Sequence, residues 1–129
     1  MKLFIYTIIF IMLQSLVSAS AAESTRKSLR DGYSIQISQL DSGESMKLFH
    51  KTKLLGETHS YSIAPSGEYA AFQQSPAGQL FLYRVSDDAL NELAKQSPGA
   101  VKKYSWNETY EIVRIYFDNQ QETLSFAIE

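Results

Sequence analysis

From Tyr33 onward the chain is written in short runs of β-forming residues, alternating or continuous, that Gly, Pro, Ser, Asp and Asn keep interrupting. Runs of four to eight such residues suit strands and are too short for well-packed helices. The pattern predicts strands over 33–40, 61–64, 69–74, 80–85, 101–106, 111–117 and 123–128, with 46–55 as one long strand or two short ones, ended by Gly56. Asp41-Ser42-Gly43, Pro65-Ser66-Gly67, Pro76-Ala77-Gly78 and Asp118-Asn119 supply the reversals, because Pro presets φ and Gly accepts positive φ. One helical segment interrupts them. Asp87 or Asp88 can cap it, Ala89, Leu90, Leu93 and Ala94 share a face, Lys95 suits its last turn, and Pro98-Gly99 stops it. The expected fold is all-β: a small antiparallel meander of about eight strands in two sheets, with one short helix.

The first residues have a different character. Lys2, the apolar stretch Leu3 to Val17 and the small residues Ala19-Ser20-Ala21 have the form of a secretory signal peptide, 1–21, with cleavage after Ala21. If left uncleaved, the same stretch would act as an anchor. Residues 22–31, with Arg26, Lys27 and Arg30 among Ser and Thr, read as a flexible N-terminal tail, and 32–129 as a single β domain. The signal's form places the protein in the periplasm or outside the cell.

Composition narrows the function classes. The chain contains no cysteine, which removes disulfides, a thiol nucleophile and thiolate-held metals, and leaves stability to packing. The net charge is -2, the carboxylate excess lies in 65–129, and no basic stripe is present, so nucleic acid is not an expected partner. After the leader no apolar run approaches the roughly 20 residues of a spanning helix, so no membrane association is expected once the signal is removed.

The strands also repeat. An offset of about 43 residues, within the range of blade-like repeats, lays Tyr61-Ser62-Ile63 on Tyr104-Ser105-Trp106, and Phe81, Tyr83 and Val85 on Leu124, Phe126 and Ile128. The segment from Tyr61 through Ala64-Pro65-Ser66-Gly67-Glu68 to Phe72, followed by Gly78 to Tyr83, resembles one blade of a TolB-like or WD-type β-propeller. Ser66 stands where those blades usually carry Asp, and Asn107-Glu108-Thr109 replaces the turn in the second copy. The resemblance implies two propeller-blade-like sheets. A closed propeller takes about four blades or more, so two sheets would pack compactly with Tyr61, Ile63, Tyr83, Trp106 and Phe126 as core.

Catalytic patterns are missing: there is no Gly-x-Ser-x-Gly elbow, no phosphate-binding glycine loop and no His-Glu-x-x-His helix. His50 and His59 flank Glu57 at no recognised ligand spacing, and Asp87-Asp88 reads better as a cap than as an acid/base pair. No enzyme activity, cofactor or metal is expected. Two surfaces remain as candidates. Ser66, Gly67, Glu68 and Tyr69 form a Ser-Gly-x-Tyr turn that looks like the loop periplasmic lysozyme inhibitors insert into their target's cleft. Tyr104, Trp106 and Tyr110, with Glu108 and Glu111, would suit an aromatic sugar-binding surface. The leading expectation is an exported binding module that recognises another protein through strand edges or a loop tip, with homo-oligomerisation open. The alternative is an inhibitor or immunity-type protein that neutralises a cell-wall hydrolase through Ser66 to Tyr69.

Overall fold

The computed structural model describes residues 24–41, 43–118 and 123–128; the segment read as a signal peptide lies outside the described residues. Within them the protein is all-β, with eleven strands in three antiparallel sheets and no helix. The first sheet is the meander β1 (Ser24–Ser28), β2 (Tyr33–Leu40), β3 (Gly43–His50) and β4 (Lys53–Glu57). The middle sheet repeats that order with β5 (Ser60–Ile63), β6 (Tyr69–Gln73), β7 (Leu80–Arg84) and β8 (Ala89–Ala94). The third has three described strands, β9 (Val101–Asn107), β10 (Ile112–Phe117) and β11 (Thr123–Ala127).

Strand periodicity explains the stacking. In β2, Tyr33 and Ile35 are buried and Ile37 packs beside them, while Ser34, Gln36 and Ser38 face outward. In β10, Val113, Ile115 and Phe117 point inward and Arg114 points out. Strand β6 behaves differently, because Ala70 and Phe72 join a core shared with the first sheet while Ala71 joins one shared with the third. A strand covered on both faces reads as a continuous apolar run, and 69–72 and 80–83 are such runs. The middle sheet is therefore the filling between two others. The two outer faces end in cations lying over aromatic rings, Arg26 4.1 Å above Phe49 and Lys103 5.5 Å from Tyr116, which gives the stack polar ends.

Three expectations are corrected. Three sheets replace two, because the middle sheet buries both faces and so needs a partner on each side. The expected helix at 87–95 is strand β8, paired with β7 from Arg84↔Ala89 to Leu80↔Ala94. The six residues of β8, five of them helix-favouring, are too few to sustain a helix alone, and the open backbone of β7 recruits them instead; Asp88, at φ 49°, makes the turn into the strand. Finally, 24–28 is a strand and not part of a tail. Its side chains are all exposed, so no apolar alternation marks it. Its pairing follows from the turn Arg30-Asp31-Gly32-Tyr33, in which Asp31 and Gly32 both have positive φ, as a tight hairpin turn requires.

The repeated positions fall in equivalent places. Tyr61 to Ile63 and Tyr104 to Trp106 lie in the first strands of successive sheets, and Phe81 and Tyr83 correspond to Leu124 and Phe126 in the third strands. Of the expected core residues, Tyr83 is buried, whereas Tyr61, Ile63, Trp106 and Phe126 are partly buried against the two cores.

Candidate functional site

The turns 30–32, 51–52, 64–68, 85–88 and 108–111 gather at one end of the stack, and contacts between them join the sheets. Pro65 and Gly67 shape the turn that sequence analysis singled out, with the Gly67 N–H donating to Ala64 O at 2.9 Å. Gly67 has φ 81°, and a Cβ there would lie 2.6 Å from Asp31 Cγ, so only glycine fits beneath the neighbouring hairpin. Its carbonyl accepts a bond from Tyr33 Oη at 3.2 Å. Arg30 reaches across from the first sheet and donates to the carbonyls of Ile63, Ala64 and Pro65.

The rest of the turn is engaged as well. The Ser66 hydroxyl donates to the Glu108 carboxylate, and the Ser66 backbone N–H donates to the same group at 3.1 Å. Glu68 accepts from the Ser86 N–H at 2.8 Å, and Tyr69 stacks on Trp106 with ring centroids 6.4 Å apart. The turn therefore binds three sheets together, and each of its four residues has an internal partner.

The aromatic trio separates. Trp106 Nε1 donates to Ser62 Oγ at 2.9 Å. Tyr104 Oη lies 2.8 Å from Ser60 Oγ, and burial pushes its hydroxyl up to about 12. Both rings pin β9 against β5. Tyr110 stands apart at 74% exposed. Thus the structure joins Tyr69 to Trp106, across two surfaces that sequence analysis kept distinct, and leaves Tyr110 outside that pair.

One cluster escaped sequence analysis. His50, 7% exposed, lies between the rings of Tyr33 and Tyr83, with centroids at 4.6 and 5.5 Å. Tyr83 Oη donates to Asp88 Oδ1 at 2.6 Å, and Lys53 Nζ donates to the same oxygen at 2.8 Å. Burial, reinforced by the hydrogen bond to Asp88, pushes the Tyr83 hydroxyl up to about 12. The Lys53 hydrogen bond, followed by that from Tyr83, lowers Asp88. A cleft of about 290 Å³ opens beside them. Lys53 is committed to Asp88 and lies over the Tyr83 ring, so the cluster is a joint between the first and middle sheets. The spacing from Lys53 to Asp88 offers no local signal; only the packing of two sheets brings them together.

The histidines do not converge. His50 pairs with Lys53 at one end of β3, whereas Glu57 pairs with Lys47 farther along and His59 follows β4 toward the opposite end.

The remaining feature is backbone. Ile128 N donates to Glu111 O at 2.9 Å, so alternation of the antiparallel ladder makes Val113–Phe126 and Ile115–Leu124 the bonded pairs. Thr123, Ser125 and Ala127 consequently turn their N–H and C=O groups away from β10. Among the described residues no strand pairs with that edge, although the equivalent edge of β7 is covered by β8. No protein-family model, curated protein or solved structure matches this chain.

Proposed function

We propose that the protein is an exported, non-enzymatic binding module that accepts an extended segment of another polypeptide along the outer edge of β11. The carrying observation is that the third sheet has three described strands where its neighbours have four, leaving the uncharged edge Thr-Leu-Ser-Phe-Ala without a strand beside it among the described residues. Strand addition takes its affinity from main-chain hydrogen bonds and its selectivity from alternate side chains. Inward-facing apolar residues of the added segment would extend the cover over Leu124 and Phe126. The inhibitor-loop reading has less support, because Ser66, Gly67, Glu68 and Tyr69 are all engaged within the molecule.

Ser125→Pro tests the reading. It removes an outward N–H while sparing the bonds to β10, a placement that edge strands tolerate. Tagged 22–129 and this variant, matched in thermal melt, are exposed to periplasmic and secreted extracts. A polypeptide retained by the first and lost by the second supports edge recognition. Equal retention by both moves recognition elsewhere, and retention by neither removes the reading.

A further inference from the structure

We infer that the segment received by β11 is β11 of a second copy of this chain, paired antiparallel about Ser125; this rests on the edge reading above. The described edge strands differ in whether they can self-associate. Strand β1 carries Arg26 and Lys27, and β9 carries Lys102 and Lys103. Two copies of either would set like charges side by side, a common guard against edge pairing. Strand β4 has its Lys53 held by Asp88, and its ladder with β3 is broken by a register shift. Strand β8 contains Glu92 and a similar shift in its pairing. Strand β5 has only four residues and is flanked by Tyr104 and Trp106. Among the described edge strands, β11 is the one with five residues, no charge and a regular ladder.

Its sequence is also self-complementary. A two-fold axis through Ser125 sets Ser125 against its own copy, Thr123 against Ala127 of the partner subunit, and Leu124 against Phe126 of the partner subunit. The residues whose N–H and C=O groups face outward, Thr123, Ser125 and Ala127, become the hydrogen-bonded pairs of the new ladder. Leu124 and Phe126 meet on the inward face and cover each other's partly exposed flanks, while the small side chains meet on the other face. Each molecule uses the same patch, as a two-fold interface requires. The contact is short, and interfaces below about 1,200 Å² are typically weak, so the dimer should form reversibly with concentration.

A charge exchange tests it. Ser125 is exposed in the single chain, so Ser125→Lys and Ser125→Glu should each fold, which matching melts would establish. In the proposed pairing each variant places like charges face to face, whereas a mixture places Lys opposite Glu. Sedimentation velocity of 22–129 should show a dimer, at least tenfold weaker association for each variant alone, and recovery in the equimolar mixture. Amide exchange at Thr123, Ser125 and Ala127 should slow as concentration rises. A monomer at every concentration, with those amides exchanging rapidly, overturns the second copy as occupant while leaving the edge open to another polypeptide. A monomer with those amides protected means that the edge is covered within the chain, which overturns both readings. A dimer that neither variant weakens places self-association on another surface and overturns this inference alone.

Discussion

The two seams of the stack are built from different materials. Between the first and middle sheets the core is rich in rings: Tyr33, Phe72 and Tyr83 are buried with Ile35, Leu48 and Leu55, Phe72 stacks on Phe81 at 5.2 Å, and the rim is closed by Lys53 and Asp88. Between the middle and third sheets the buried core is mainly aliphatic, with Leu80, Leu82, Val113, Ile115 and Ile128. Its polar fastening is internal. The fully buried Gln73 donates from Nε2 to Ser97 Oγ and Gly99 O, each at 2.7 Å, and accepts from Val101 N at 3.0 Å. One seam therefore keeps its charges at the water's edge, where they contribute little. The other keeps a neutral amide where an unmet hydrogen bond is expensive.

That contrast can be broken at several points. The largest effect is expected from Phe72→Ala, which empties the ring-filled seam and should cost about 3–5 kcal/mol in urea unfolding, as for other buried phenylalanines. Gln73→Ala should follow at roughly 2–4 kcal/mol, since it strands the Val101 N–H and Gly99 C=O in the second seam. If Gln73→Ala proves nearly neutral, the second seam is apolar in its energetics and the contrast fails.

Alkaline unfolding compares the seams directly. Tyr83 and Tyr104 each titrate near 12 against an ordinary value of 10.0. A raised folded value favours the protonated form, so this stability is complete below pH 10 and is lost as pH rises through about 12. Tyr83→Phe and Tyr104→Phe should each make the alkaline decline of thermal stability shallower, and the double variant shallower still. A decline unchanged by either substitution would locate the sensitive group elsewhere.

The smallest effect belongs to the rim. Asp88 titrates below its ordinary 3.8, so its contribution is complete above that value and is lost as pH falls through the lower, folded one. Asp88→Asn should flatten this acid-side loss and leave neutral-pH stability almost unchanged. A large loss at neutral pH would show that the charged rim carries more of the first seam than its exposure suggests.

Legibility in the sequence followed the source of each signal. Strand β2 coincides with the expected 33–40, and β6, β7 and β10 lie within one residue of their expected bounds, because burial on one or both faces imposed a period of two or a continuous run. Strand β1 was invisible to that test, since none of its side chains is buried; Asp31-Gly32, a strong hairpin signal, was the available clue. Strand β8 misled because Ala, Leu and Glu favour a helix when considered alone. Of the site, the Pro65-Ser66-Gly67 turn was legible through its backbone chemistry. Its attachment to Arg30, Tyr33 and Glu108 was not, since those partners come from other sheets.

By itself the sequence determined that this chain makes short strands joined by tight turns, that no disulfide braces them, and where most of those turns fall. These are local consequences of β-branched and aromatic runs, proline and glycine. The tertiary structure alone decided that there are three layers, that the marked turn is a joint between them, and that among the described residues no strand lies beside the outer edge of β11. Those outcomes depend on which apolar face finds which partner, and on backbone groups that every residue carries alike, so no residue type announces them.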